Sequence, residues 1–380
     1  MLVKRFLDKL SKAAPAERVD IVRAFVRVYL EVPLDAENRE AAATALVAIL
    51  DDPAPRVRRA MAEALCSAGE APAMVIRALA DDQPDIAAVV LSRSPLLSDA
   101  ELVDRVGAGC ARLQCAVADR PTIGIGLAAA IVEVSGPEAC LHLLDNPGAS
   151  IGIGTLNRLV DRHRDDPAVR NALLERPDLP VTLRQKLIDG LSDALGALIS
   201  LREWVSPERA EKLVGEARER SVVELALECE DDRLKPYVKM LLGEGRITPA
   251  VLIRALALGN VRFVEEALSA LSGMPVRRVV ALLNDRSGRG LDALFRRIGL
   301  SADALSALRA VLEVMREEAP DGSWRHQQRL GRTMLERALT RHRAFSAGEV
   351  DAFFALISRL SAEAARREAR GETGGYFRAA

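Results

Sequence analysis

The densest chemistry in this chain lies towards its C-terminus. Residues 324–343 carry Arg325, Arg329, Arg332, Arg337, Arg341 and Arg343 against Glu336 alone. Arg325, Arg329 and Arg332 share one helical face at i, i+4 and i+7, and Arg337 and Arg341 form a second pair at i, i+4. Like charges at that spacing cost about 0.2–0.5 kcal/mol per pair unless an anion meets them. Arg325, Arg329, Arg332, Arg337 and Arg341 are therefore the candidate docking residues for an acidic protein partner.

Other reactive side chains are dispersed. The histidines (His142, His163, His326, His342) lie far apart, and His142 sits two residues from Cys140, a spacing that does not aim two ligands the same way on a helix. No Cys-x-x-Cys or His-x-x-x-His occurs, so four converging zinc ligands are not expected. Ile-Gly-Ile-Gly occurs twice, at 123–126 and 151–154, but neither copy has the third glycine of a dinucleotide loop. Both are expected to be close-packed or loose first helical turns. No serine sits in a Gly-x-Ser-x-Gly elbow. The acidic pairs Asp51-Asp52 and Asp165-Asp166 precede helix starts, where capping explains them. No catalytic, cofactor-binding or metal-ligating residue is expected, and no cofactor.

The elements that would carry these side chains are helical. The chain has 380 residues, 3% of them aromatic, and leucine, alanine, arginine and glutamate dominate. These are strong helix formers, whereas sheets need aromatic and β-branched residues. Acidic-plus-proline turns recur at Asp51-Asp52-Pro53, Asp81-Asp82-Gln83-Pro84, Asp119-Arg120-Pro121, Asp145-Asn146-Pro147 and Asp165-Asp166-Pro167. Related turns occur at Arg93-Ser94-Pro95 and Arg176-Pro177. Asp accepts orphan N–H groups at a helix start, and Pro ends one helix and opens the next. Val57, Met61, Ala64 and Leu65 after the first turn lie on one face. Units this short cannot bury such faces alone and must stack into a solenoid.

The turns resemble those of HEAT-like repeat proteins, with Asp-Asp-Pro followed by Val57-Arg58 and Ala62-Glu63-Ala64-Leu65. The segments from Ala80 to Asp99, Leu144–Ala149, Arg176–Pro180 and Ile247–Asn260 resemble a bacterial, chiefly alphaproteobacterial, HEAT-like family known only as a domain of unknown function, over residues 45–345. That resemblance implies an all-α, HEAT-like or armadillo-like α-solenoid followed by a C-terminal helical bundle. It also implies that Arg58 and Arg170 pair with a turn Asp of a neighbouring unit. The expected organisation is a helical cap at 1–35, a repeat array at 36–190, a helical region at 191–370 and a disordered tail at 371–380.

Residues 1–250 hold 32 basic and 39 acidic side chains, and residues 251–380 hold 21 and 15. Opposed ends of this kind can attract an anionic partner or a second copy, so homo-oligomerisation is one expectation. No run of about 20 apolar residues exists to span a membrane. Met1–Leu10 is already charged, no apolar leader follows, and the five scattered cysteines suit a reducing compartment, so a cytoplasmic location is expected. The functional expectation is a non-enzymatic scaffold or adaptor that binds a protein partner. The alternative is a DNA-binding or glycosylase-type enzyme, resembling the HEAT-like alkylpurine DNA glycosylases. Against it stand the acidic balance of residues 1–250 and the presence of only two tryptophans, Trp204 and Trp324. Nucleic acid is not expected as a partner.

Overall fold

The computed structural model describes residues 12–373 except 203–204, 286–287, 319–329, 331 and 346–351, together with Phe6 and Leu10. Among the described residues the fold is all-α, with 21 helices and no strand. It forms two compact units, Met1–Leu183 and Arg184–Ala380. The division falls inside one helix, before the expected boundary at residue 190.

The first unit contains α1 (Pro15–Glu31), α2 (Ala36–Ile49), α3 (Pro55–Leu65), α4 (Ala73–Ala80), α5 (Pro84–Arg93), α6 (Asp99–Ala108), α7 (Ala111–Ala118), α8 (Ile125–Val134), α9 (Pro137–Asp145), α10 (Ile153–His163) and α11 (Pro167–Glu175). Helices α1, α3, α5, α7, α9 and α11 pack one on the next in a continuous row. In a second row α6, α8 and α10 stack on one another, and α2 packs on α4. Packing each helix against the one two ahead is what a helical-repeat stack requires.

The uneven proline spacing has a structural cause. The proline turns belong to two classes, those that enter α3, α5 and α11 and those that leave α5, α7, α9 and α11. Where the chain enters α3 and α11, an Asp side chain accepts backbone amides. Asp52 Oδ1 accepts from the Ala54 amide at 2.8 Å, and Asp166 Oδ1 accepts from the Ala168 and Val169 amides. Where the chain leaves α7, α9 and α11, the turn side chain reaches back to the preceding unit. Arg120 donates to the carbonyls of Leu91 (2.6 Å) and Ser94 (2.8 Å), and Asn146 donates to those of Ala118 (2.8 Å) and Arg120 (2.7 Å). Arg176 continues the series at the Leu144 carbonyl, 3.4 Å away. These carbonyls are the orphan acceptors of a helix end, and the two arginines also oppose its negative pole.

The Arg–Asp ladder exists, and it is short. Arg18 pairs with Asp52 at 2.9 Å, and Arg58 grips Asp82 through two hydrogen bonds. Arg170 does not extend it. It lies on the last helix of the row; Asp178 in the turn that follows is held by Arg176, and Arg170 donates to the Arg164 carbonyl at 3.4 Å instead.

In the second unit follow the remainder of α12 (Val181–Leu201), then α13 (Pro207–Glu228), α14 (Asp231–Gly243), α15 (Pro249–Ala257), α16 (Val261–Ser272), α17 (Val276–Asn284), α18 (Arg289–Arg297), α19 (Ala302–Glu318), α20 (Arg332–Phe345) and α21 (Ala352–Thr373). Here α15 is central: every residue from Val251 to Ala257 is buried, and α13, α16, α19 and α21 pack around it. A helix buried on all sides reads as continuously apolar, which is the pattern of Val251–Ala257 apart from Arg254. Helix ends differ from those of the first unit. Gly259 (φ 76°) and Gly299 (φ 76°) take the left-handed conformation that a side chain resists. Each is followed by a backbone bond five residues back, Asn260 N–H to Ala255 and Leu300 N–H to Phe295.

Ser98 and Glu101 close a capping box at the start of α6. One correction concerns the tail: residues 371–373 continue α21 as helix, and residues 374–380 lie outside the description. No described helix is long and apolar enough to cross a membrane.

Candidate functional site

Three of the five candidate docking arginines are described. Arg332, Arg337 and Arg341 lie on α20, while Arg325 and Arg329 fall outside the described residues. The anions that local sequence could not supply come largely from the neighbouring α19. Arg337 pairs with Glu317 at 2.9 Å, and Arg341 pairs with Glu317 at 2.8 Å and Glu313 at 3.7 Å. Arg332 pairs with Glu336 one turn on, at 2.7 Å. The Arg341 and Arg337 guanidiniums hold the Glu317 carboxyl below the usual carboxylate range. The face is thus partly self-neutralised, although Arg332 and Arg337 stay substantially exposed.

A second surface was not anticipated. On α12 the buried Leu187 is followed by Leu191, Leu195 and Leu198, all exposed, and then by Leu201, which is 80% exposed. Spacings of i, i+4 and i+7 place Leu191, Leu195 and Leu198 on one stripe. The opposite face of α12 meets α13 across an open groove of about 360 Å³, lined by Asp193, Ala197, Ala210 and Val214 among others. Arg218 on α13 pairs with Asp193 across it. The stripe is legible in the sequence as an amphipathic pattern. Its spacing alone does not mark a surface, because a helical stripe of leucines is ordinarily buried.

Charge is also buried in the second unit. Arg254 on α15 is 4% exposed and stands 4.0 Å from Glu363 of α21, which also pairs with Arg220 of α13 at 2.5 Å. Beside it the Thr248 hydroxyl donates to Glu219 at 3.2 Å, and Arg359 pairs with Glu216. Burial pushes the Glu219 carboxyl up and the Arg254 guanidinium down. This network ties α13, α15 and α21 together.

The first unit holds a mixed cluster that spacing rules passed over. Cys115 Sγ, a carboxylate oxygen of Glu138 and a ring nitrogen of His142 lie within 4.8 Å of one another. Asp119 Oδ1 stands 2.7 Å from His142 Nδ1. Each helix contributes an i, i+4 pair, Cys115 with Asp119 at the end of α7 and Glu138 with His142 on α9. That signal is present in the sequence, but only the stacking of α7 on α9 joins the pairs.

The two Ile-Gly-Ile-Gly stretches occupy equivalent places. Gly124 and Gly152 are the N-cap residues of α8 and α10, and Ile125 and Ile153 open those helices, as loose first turns do. Ile123 meets Ala149 in a single parallel bridge.

The family model described as "Uncharacterised protein conserved in bacteria (DUF2336)" matches residues 86–346. The chain belongs to that family. The match runs from α5 into the residues after α20, so it includes the Cys115 cluster, the leucine stripe and the three described arginines of this DUF2336 chain. No curated protein and no solved structure matches. Membership supplies a bacterial family and assigns no chemistry.

Proposed function

We propose that this DUF2336 chain is a non-enzymatic helical-repeat scaffold that binds a protein partner. The observation that carries the reading is the exposed stripe Leu191–Leu195–Leu198, extended by Leu201. Scattered surface leucines are ordinary, but a contiguous stripe at helical spacing is the mark of a binding face. Its two-turn length suits the apolar face of a partner helix, read at i, i+4 and i+7 anchors. The arginine face of α20 is the candidate second contact. An acidic partner segment would exchange with Glu317 and Glu336 there, so its contribution would be specific rather than large and would fade with salt. A cytoplasmic setting fits the reduced, scattered cysteines.

The test is affinity capture from native cytoplasm with wild type and with L191D/L195D, followed by binding of the captured protein in purified form. A partner that binds wild type and loses at least about tenfold with the variant supports the reading. A partner that binds both equally moves the interface elsewhere. A wild type whose sedimentation mass is twice that of the variant makes a second copy the occupant and replaces the reading.

A further inference from the structure

The cluster on α7 and α9 has the composition of a metal centre. Its three converging atoms are a thiol, an imidazole nitrogen and a carboxylate oxygen, a set that suits a borderline ion such as Zn²⁺ and not Mg²⁺ or Ca²⁺, which take oxygen ligands. We propose that Cys115, Glu138 and His142 form a divalent transition-metal site, with Zn²⁺ as the matching ion and Asp119 as the carboxylate that orients His142.

Geometry supports this in three ways. First, ligand atoms around a tetrahedral zinc stand roughly 3.3–3.8 Å apart, given bonds of about 2.0–2.3 Å. Atoms already within 4.8 Å need to close by only about 1 Å. Glu138 is exposed and His142 is half-exposed, so both can move that far without disturbing the core. Second, metal-bound histidines ordinarily hydrogen-bond their other ring nitrogen to a carboxylate. Asp119 holds Nδ1 in that way, and the tautomer with its proton on Nδ1 carries its lone pair on Nε2. Third, the cluster opens into a surface pocket lined by Asp119, Glu138, His142 and Asp145, which gives an ion a path in from solvent.

Cys115 is the buried member, and burial together with the Glu138 and Asp119 carboxylates pushes its thiol up. An ion reverses that balance: as the metal–sulfur bond forms, the thiol proton leaves to solvent. Three protein ligands leave a fourth position for water or an exogenous donor. Because Cys115 and Glu138/His142 sit on successive helices of one row, the bound ion would also clamp adjacent repeat units. None of these residues belongs to the leucine stripe, so this proposal and the scaffold reading fail independently.

The test uses the full chain, reduced and stripped with chelator, titrated with Zn²⁺ alone and with Co²⁺ as a spectroscopic probe. One equivalent should bind, Co²⁺ should show a thiolate charge-transfer band, and Zn²⁺ should raise the melting temperature. C115S should abolish the band. E138Q, at an exposed position that folding tolerates, should weaken Zn²⁺ at least about tenfold, and D119N should cost about 10–100-fold. C110S, which removes the exposed thiol five residues away, should change nothing. A wild type that binds no more Zn²⁺ than E138Q, or a band that survives C115S, overturns the site.

Discussion

Arg58 on α3 and Asp82 in the turn before α5 form a two-point grip, Nε to Oδ2 at 2.7 Å and Nη2 to Oδ1 at 2.8 Å, with both side chains nearly out of solvent. The same guanidinium donates to the Asp52 carbonyl at 2.7 Å, so one side chain joins two successive turns of the row. Asp82 is spent on Arg58, and the helix behind it opens with Pro84 and no side-chain cap. Removing the arginine leaves a poorly solvated carboxylate and an unsatisfied carbonyl. R58A is expected to cost about 3 kcal/mol, and R58K less, because lysine keeps the charge but loses the fork. Denaturant unfolding of both variants measures this.

The same pair sets a pH dependence. Arg58 holds the Asp82 carboxyl below its ordinary 3.8. A depressed carboxyl contributes stability that is present above the unfolded value and lost as pH falls through the folded one. Wild type should therefore lose stability relative to D82N as pH drops from about 4 downwards, and the two should run parallel at higher pH. Paired melting curves across that range decide it.

Glycines in the first unit make a contrasting prediction. A Cβ on Gly148 would run into the Pro121 carbonyl oxygen, at the point where the turns before α8 and α10 touch through the Ile123–Ala149 bridge. A Cβ on Gly126 or Gly154 meets nothing within 4 Å. G148A should cost about 1–3 kcal/mol, as overpacking does, whereas G126A and G154A should be neutral or stabilise by up to about 0.5–1 kcal/mol. Destabilisation by G126A and G154A would mean that the Ile-Gly-Ile-Gly stretches are close-packed after all.

Exposure makes the leucine stripe separable from folding. L195D removes a side chain that is 53% exposed, so its melting temperature should stay within a degree or two of wild type while partner binding falls. A large fall in melting temperature would show that the stripe is covered within the chain's own fold.

How far the sequence reached depended on the range of each interaction. The Asp166 cap and the Asp52 turn were legible because each carboxylate and the amides it receives lie within three residues. The carbonyl-capping series was not, because Arg120 and Asn146 find their acceptors 26 to 29 residues back. The proline spacing looked irregular for the same reason: two classes of turn were read as one. The arginine face was found but its counter-ions were not, since Glu313 and Glu317 lie outside the window 324–343. Ligand spacings within one loop do not mark the cluster, because Cys115 and His142 meet only where α7 stacks on α9.

Glu219 carries the last prediction. Its carboxyl lies against α15, where burial raises it above its ordinary 4.5, and the Thr248 hydroxyl and the Arg254 charge only partly oppose this. A raised carboxyl destabilises the fold when ionised. The penalty is absent below the unfolded value, where both states are protonated, and it grows as pH rises from 4.5 through the folded value. Glutamine can still accept from Thr248 and carries no charge. E219Q should therefore melt above wild type at neutral pH, with the gap closing as pH approaches 4.5. A variant that melts below wild type at pH 7 would show that the Glu219 charge is needed to balance the buried Arg254.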